Sequence, residues 1–214
     1  MQMVLVRPSY VFLFRRNYQL MKRVLDLTLC LLVLPTILPV IAICGLLIWL
    51  DNPGSVFFTQ LRTGKGGKRF RMYKLRTMAS NAEELKLKYA HLNELTWPDF
   101  KITNDPRVTR VGRILRKTSL DELPQIFNII KGDMSWVGPR PTSFDVSTYS
   151  LWHTERLEVI PGLTGLWQVS GRSNLDFDDR LRLDIEYIER KSIRLDIQIL
   201  FRTVSAIFTQ RGAY

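Results

Sequence analysis

The chain has 214 residues, two cysteines and two histidines, and 31 Lys and Arg against 20 Asp and Glu give a formal charge of +11. So basic a chain calls for an acidic partner, which could be anionic lipid, a phosphorylated small substrate or nucleic acid. No zinc finger, helix-turn-helix or RNA-binding signature accompanies the charge, which sets nucleic acid aside. Cys30 and Cys44 both lie inside one apolar run with no ligand spacing, so they are read as small hydrophobes, not as a disulfide or metal site.

In chain order, the apolar patch Val11 to Phe14 is too short, and too soon followed by Arg15 and Arg16, to be a signal-peptide core. Leu27 to Leu50 then form a run of 24 uncharged residues, long enough to cross a bilayer as a helix. Cations crowd both flanks: Lys22 and Arg23 before it, Arg62, Lys65, Lys68, Arg69, Arg71, Lys74 and Arg76 after it. Because such residues favour the cytoplasmic side, both ends are expected on one face, which requires a hairpin that enters one leaflet and turns back. Pro35 and Pro39 are the expected bend, giving two short helices at about 24–34 and 40–50. A straight helix tolerating both prolines stays open, since membrane helices accept them. Asp26 is expected to be paired or to lie near the interface, beside Lys22 and Arg23. The chain therefore divides into an extension (1–21), a membrane hairpin (22–50) and a domain (51–214), the last long enough for one compact core.

Asp51-Asn52-Pro53-Gly54 signals a turn. Strands at Val56 to Gln60 and Phe70 to Tyr73 are predicted to form a hairpin around the loop Thr63 to Gly67, whose spacing matches no phosphate-binding motif. Residues 80–95 predict an exposed helix capped by Ser80 or Asn81, ended by Trp97-Pro98-Asp99, with a further turn at Asn104 to Arg107. Val111, Ile114 and Leu115 make an amphipathic stretch that carries Arg110, Arg113, Arg116 and Lys117 on its other surface.

Asp121-Glu122 follows. Ser119 stands three residues before Glu122, which fits a capping box, and Leu120, Leu123, Phe127 and Ile130 supply an apolar face ending before Gly132. Starting the helix at Asp121 instead keeps Pro124 within its first turn. In either register Asp121 sits at a helix N-terminus, where an ionised carboxylate can ligate Mg²⁺ or attack phosphorus. Ordinary capping acids remain the alternative. In Gly138-Pro139-Arg140-Pro141, two prolines stiffen the backbone around one guanidinium, which suits a bidentate phosphate ligand, with a solvent-facing turn as the competing account. His91 and His153 have no second ligand nearby, so a histidine zinc site is not expected.

Pro161 to Val169 is predicted as two turns and a short apolar strand, with Trp167 either in the core or available for base stacking. Helices are predicted at 176–190, through Leu181, Ile185 and Ile188, and at about 195–209, through Ile197, Leu200, Phe201, Val204, Ile207 and Phe208. The last stripe could pack on the domain, lie in the membrane interface or serve a homo-oligomer.

These blocks together resemble the bacterial polyprenyl-phosphate sugar-1-phosphate transferases, the monotopic phosphoglycosyl transferases of capsule, exopolysaccharide and glycan-lipid assembly. The residues that carry the likeness are Lys22-Arg23 with Asp26, Tyr73 to Met78, Thr103 to Arg107, Thr118 to Gln125, Lys131 to Pro141, Pro161 to Arg172 and Arg211 to Tyr214. The resemblance implies an α+β protein held by a re-entrant helical hairpin, with a mostly helical cytoplasmic domain, a small β-hairpin and amphipathic interface helices. It implies Asp121 as nucleophile and Glu122 as its catalytic partner, with Mg²⁺ near Asp121. Arg116 and Arg140 follow as phosphate ligands and Arg172 as a nucleotide contact. The implied substrates are a UDP-sugar and undecaprenyl phosphate at the bacterial inner membrane, with UMP released through a covalent aspartyl intermediate. Some relatives carry Ser-Pro at the bend, where this chain has Leu38-Pro39. A catalytically silent module that binds anionic membrane lipid or partner enzymes is the reading of a different class.

Overall fold

The computed structural model describes the backbone of residues 10–82, 84–94, 102–148, 151–170 and 176–208, with side chains from residue 17 onward except 86, 87, 151, 207 and 208. The uncharged run belongs to a single helix, α1 (Tyr10–Asp51), that continues through Pro35 and Pro39. The expected pair of helices is therefore replaced by one. Each proline removes a single N–H, and both are exposed on the outer face, where hydrogen bonds lengthen when a helix wraps a core. By length and composition α1 is able to cross a membrane.

One strip of α1 is buried, however. Asp26, Cys30, Ile41, Cys44 and Ile48 recur at helical spacing, with Val33, Leu34 and Ile37 partly buried between them. The outer face carries exposed Leu31, Leu32, Ile43, Leu46, Trp49 and Leu50. Polar ties fix the helix at both ends. Ser135 Oγ and Trp136 N donate to Asp26 Oδ1 at 2.9 and 3.2 Å, Lys22 Nζ reaches Asp196 at 2.8 Å, and Val111 N donates to Asp51 at 3.1 Å. Arg23 donates to the carbonyls of Ile129 and Ile130 at 2.6 and 2.7 Å. Asp26 is thus satisfied from the domain, while Lys22 and Arg23 are engaged elsewhere.

β1 (Phe57–Thr63) and β2 (Arg69–Leu75) form the predicted antiparallel hairpin, in register from Phe57↔Leu75 to Thr63↔Arg69. Gly66 and Gly67, both at positive φ, shape its basic loop as a turn. Phe70 and Met72 on the inner face of β2 join Cys30, Ile126, Ile129 and Met134 in one core cluster, and Leu75 joins Ile41, Cys44, Ile48 and Leu115 in a second. α2 (Glu84–Lys88) is much shorter than the predicted 80–95, and Trp97 to Asp99 fall outside the described residues.

α3 (Arg110–Thr118) is capped by Thr109, whose hydroxyl accepts from Gly112 N. A side chain at 112 would strike the Thr77 carbonyl, so glycine lets α3 lie directly on the end of the hairpin. Ser119 is not the expected N-cap. It adopts a left-handed conformation, φ 58°, and its N–H closes the C-terminus of α3. One 3₁₀ turn (Leu120–Glu122) follows, and α4 (Gln125–Lys131) starts only after Pro124. The capping box is absent because Ser119 already terminates the preceding helix.

β3 (Ser135–Val137) pairs in parallel with β4 (Gly162–Thr164). The short strand expected after the turns in Pro161 to Val169 therefore lies at the start of that stretch, and α5 (Leu166–Ser170) occupies its end. α6 (Phe177–Arg190) and α7 (Ile193–Phe208) match the predicted helices. α7 buries Asp196 and Ile199, whereas Ile197, Phe201 and Val204 of the predicted stripe are exposed. Lys22, Tyr18 and Tyr187 converge on Asp196, whose burial is thereby compensated.

Candidate active site

Three separate segments meet at Glu122. The 3₁₀ turn carries Asp121 and Glu122, β2 delivers Lys74, and the loop after β3 delivers Arg140. Arg140 grips Glu122 with both terminal nitrogens, Nη2 to Oε1 and Nη1 to Oε2 at 3.3 Å. Lys74 Nζ lies 2.9 Å from Glu122 Oε1 and 4.0 Å from Asp121 Oδ2. The left-handed Ser119 turns the chain sharply out of α3 and sets the direction of the dyad.

Lys74 is itself held through its strand. The buried side chain of Asn128 on α4 accepts from Tyr73 N at 3.0 Å and donates to Arg71 O at 2.7 Å, completing the edge of β2 as a neighbouring strand would. Arg140 is set by tight packing of its loop. Gly138 N donates to Thr164 O and Gly162 N to Pro139 O, both at 2.9 Å, and side chains at 138 or 162 would collide with the opposing backbone.

The two carboxylates are electrostatically unlike. Burial alone would raise the Glu122 pKa, but Arg140 and Lys74 override it and hold Glu122 well below the usual carboxylate range. Asp121 moves the other way. Burial raises its pKa, Lys74 only partly opposes this, and ionised Glu122 pushes it further up. Asp121 is 8 % exposed and, among the described residues, its carboxylate has the 4.0 Å approach of Lys74 and no hydrogen bond. Its lone pairs are therefore available to a ligand. Arg116 adds positive potential at Asp121 and is aimed by Nε donating to Thr77 Oγ1 at 3.0 Å; burial lowers its pKa.

Of the residues singled out in the sequence, Asp121, Glu122, Arg116 and Arg140 are brought together. Pro35 and Pro39 lie on the outer face of α1, and Arg172 falls outside the described residues. Arg140 binds a carboxylate here, where a phosphate was expected. Lys74 was missed as a site residue, although it extends the inward row of Phe70 and Met72 at period two, where a lysine needs a partner. A buried ion pair of Arg107 with Asp105 at 2.6 Å, which lowers the Asp105 pKa, stiffens the turn before α3.

Among the described residues no group of three or more His, Cys, Asp or Glu could hold a metal ion. Mg²⁺ is commonly held by one or two carboxylates together with substrate phosphates, and the carboxylate of Asp121 fits that arrangement. Glu122 does not, since its oxygens are engaged by Arg140 and Lys74.

The unlike carboxylates make opposite stability predictions. Glu122→Gln leaves two half-buried cations without the carboxylate they share and is expected to cost about 1–3 kcal/mol. Asp121→Asn removes a carboxylate whose pKa is raised on folding; at neutral pH its ionised form opposes folding, so the unfolding midpoint is expected to hold or rise. Thermal unfolding in detergent measures both.

The family model for bacterial sugar transferases matches residues 17–210. The galactosyl transferase CpsE of Streptococcus agalactiae serotype III is 41 % identical over 208 residues, covering 94 % of this chain and 45 % of that protein. The exopolysaccharide production protein ExoY of Sinorhizobium fredii is 38 % identical over 198 residues, covering 90 % of this chain and 88 % of its own length. The UDP-glucose:undecaprenyl-phosphate glucose-1-phosphate transferase of Caulobacter vibrioides is 39 % identical over 222 residues, with coverages of 100 % and 79 %. The chain spans less than half the length of several of the curated relatives it matches. With its family model running from within α1 to beyond α7, and the Asp121-Glu122 turn and its three cations inside the matched region, the chain belongs to the bacterial sugar transferase family.

Proposed function

We propose that this chain transfers a sugar 1-phosphate from a UDP-sugar to undecaprenyl phosphate or a similar polyprenyl phosphate, releasing UMP, at the bacterial inner membrane. The observation that carries the reading is the nearly buried Asp121 carboxylate, without a hydrogen bond among the described residues, beside a Glu122 held ionised by two cations. Asp121 attacks the sugar-bearing phosphorus. The bond from that phosphorus to the bridging oxygen breaks, and UMP leaves with that oxygen. A phosphate oxygen of the lipid then attacks the same phosphorus and displaces the carboxylate, giving polyprenyl-diphosphate-sugar and free Asp121. Covalent relay suits a soluble donor and a lipid acceptor that visit one pocket in turn.

Lys74, Arg116 and Arg140 supply the positive field that lets a carboxylate approach a diphosphate. Mg²⁺ bound at Asp121 would add neutralisation of the diphosphate charge. Arg172 is proposed as a nucleotide contact on the resemblance alone.

The same reading makes α1 a monotopic anchor, bent near Pro35 and Pro39, with the domain facing the cytoplasm. Contacts of α1 with one domain from Lys22 to Asp51 support this, because a crossing helix would need about 20 consecutive residues away from that domain. The exposed apolar faces of α1 and α7, and the exposed cations Arg110, Arg113 and Lys117 of α3, suit a surface of anionic lipid.

Asp121→Asn is expected to lower UMP release more than about 1,000-fold when a panel of UDP-sugars is offered with undecaprenyl phosphate. Since catalysis needs ionised Asp121 and its pKa is raised, turnover of the unaltered protein should fall on acidification at a pH above the ordinary aspartate range. Undiminished turnover in the variant, or binding to liposomes with no donor consumed by the unaltered protein, contradicts the proposal. For topology, cysteines placed at Asn17 and Ser55 should react with an impermeant thiol reagent from the same side of sealed vesicles; labelling from opposite sides contradicts a monotopic anchor.

A further inference from the structure

The loop that presents Arg140 is anchored at each residue, but not by the same means. Gly138 and Pro139 are tied to β4 through main-chain hydrogen bonds, and Thr142 O accepts from Thr63 N on β1 at 2.9 Å. Arg140 is held by a side chain instead, as Pro141 is by Arg62 Nη1 at 3.5 Å. The Arg140 carbonyl accepts from Arg156 Nη2 at 2.6 Å. Arg156 is 7 % exposed and belongs to the 3₁₀ segment Leu151–Glu158; the same Nη2 lies 2.7 Å from Asp184 Oδ2 on α6. Asp184 is 1 % exposed, and neither of its oxygens has a hydrogen bond of good geometry, so the ion pair with Arg156 is its principal compensation. Burial raises the Asp184 pKa to about 6 against the opposing charges of Arg156 and Arg180.

A charged pair this deep is a costly way to build a core, and replacing such pairs with apolar residues is often neutral or stabilising. Its geometry identifies a different use. Asp184 orients one guanidinium nitrogen, that nitrogen holds the carbonyl of Arg140, and the Arg140 side chain grips Glu122 beside Asp121. The chain of contacts runs from α6 to the dyad without entering it.

We infer that Arg156 and Asp184 are positioning residues for the proposed transfer, fixing the Arg140 backbone so that its guanidinium meets Glu122 and the incoming phosphate in one orientation. This rests on the transferase reading. Arg156→Lys keeps the charge but loses the planar fork that places one nitrogen between a carbonyl and a carboxylate. Misplacement by about 1 Å suffices for a loss on the order of 100-fold, so a fall in kcat of about 10- to 100-fold is expected.

A double-mutant cycle separates positioning from mere folding support. UMP release from UDP-glucose, UDP-galactose and UDP-N-acetylgalactosamine with undecaprenyl phosphate is measured for the unaltered protein, Arg156→Lys, Arg140→Lys and the double variant. Acting through Arg140, Arg156→Lys should cost less than about threefold once Arg140 is lysine, while its effect on the unfolding midpoint persists in both backgrounds. Asp184→Glu, which retains the charge, serves in the same cycle should Arg156→Lys not fold. Equal fold losses in both backgrounds, or normal kcat in the single variant, overturn the positioning role. Absence of UMP release from the unaltered protein across the three donors overturns the transferase reading instead.

Discussion

Glu122 is the hinge of the whole arrangement. Its carboxylate is shared by a lysine from the hairpin and an arginine from the loop after β3, so elements far apart in the chain are drawn to one 3₁₀ turn. Because Glu122 is held ionised by two cations, the negative charge next to Asp121 is fixed, and Asp121 is left as the member of the pair without a hydrogen bond among the described residues. One member of the pair ties the segments together, and the other has its lone pairs open to a ligand. That asymmetry comes from the positions of Lys74 and Arg140, not from the two adjacent acids themselves.

The same economy governs α1. A helix with apolar residues on every side would ordinarily be surrounded by lipid, yet here one strip lines two of the domain's core clusters through Cys30, Ile41, Cys44 and Ile48. The remaining face carries Leu31, Leu32, Leu46 and Trp49 outward. Protein interior and membrane both demand apolar side chains, so an uninterrupted hydrophobic run serves both demands at once. The domain and α1 consequently share a core, and the site's hairpin is supported from beneath by α1.

Much of this was legible in the residues. The hairpin followed from two β-rich stretches around a glycine loop, α6 and α7 from their spacing, and the site from Asp121-Glu122 with Arg116 and Arg140. What escaped depended on tertiary context. Ser119 satisfies the local pattern of an N-cap, but the end of α3 takes it first and gives it a left-handed backbone. For α1 the residues leave a bent and a continuous helix both open, because a proline's missing bond says nothing about the packing that keeps the rest of the helix intact. Lys74 looked like one cation among many until the strand's inward row placed it against Glu122. α7 shows the same limit: its most obvious apolar stripe is exposed, while the buried side holds Asp196, acceptable only because Lys22, Tyr18 and Tyr187 arrive from elsewhere.

The division of labour between the two carboxylates stands or falls with a bond to Asp121. Intact-mass spectrometry of the protein incubated with a UDP-sugar and Mg²⁺, without polyprenyl phosphate, should reveal a sugar-phosphate adduct that fragments to Asp121, disappears when lipid phosphate is added, and is absent from Asp121→Asn. An unaltered protein that turns over both substrates but never carries the adduct, or an adduct that survives in Asp121→Asn, contradicts the account.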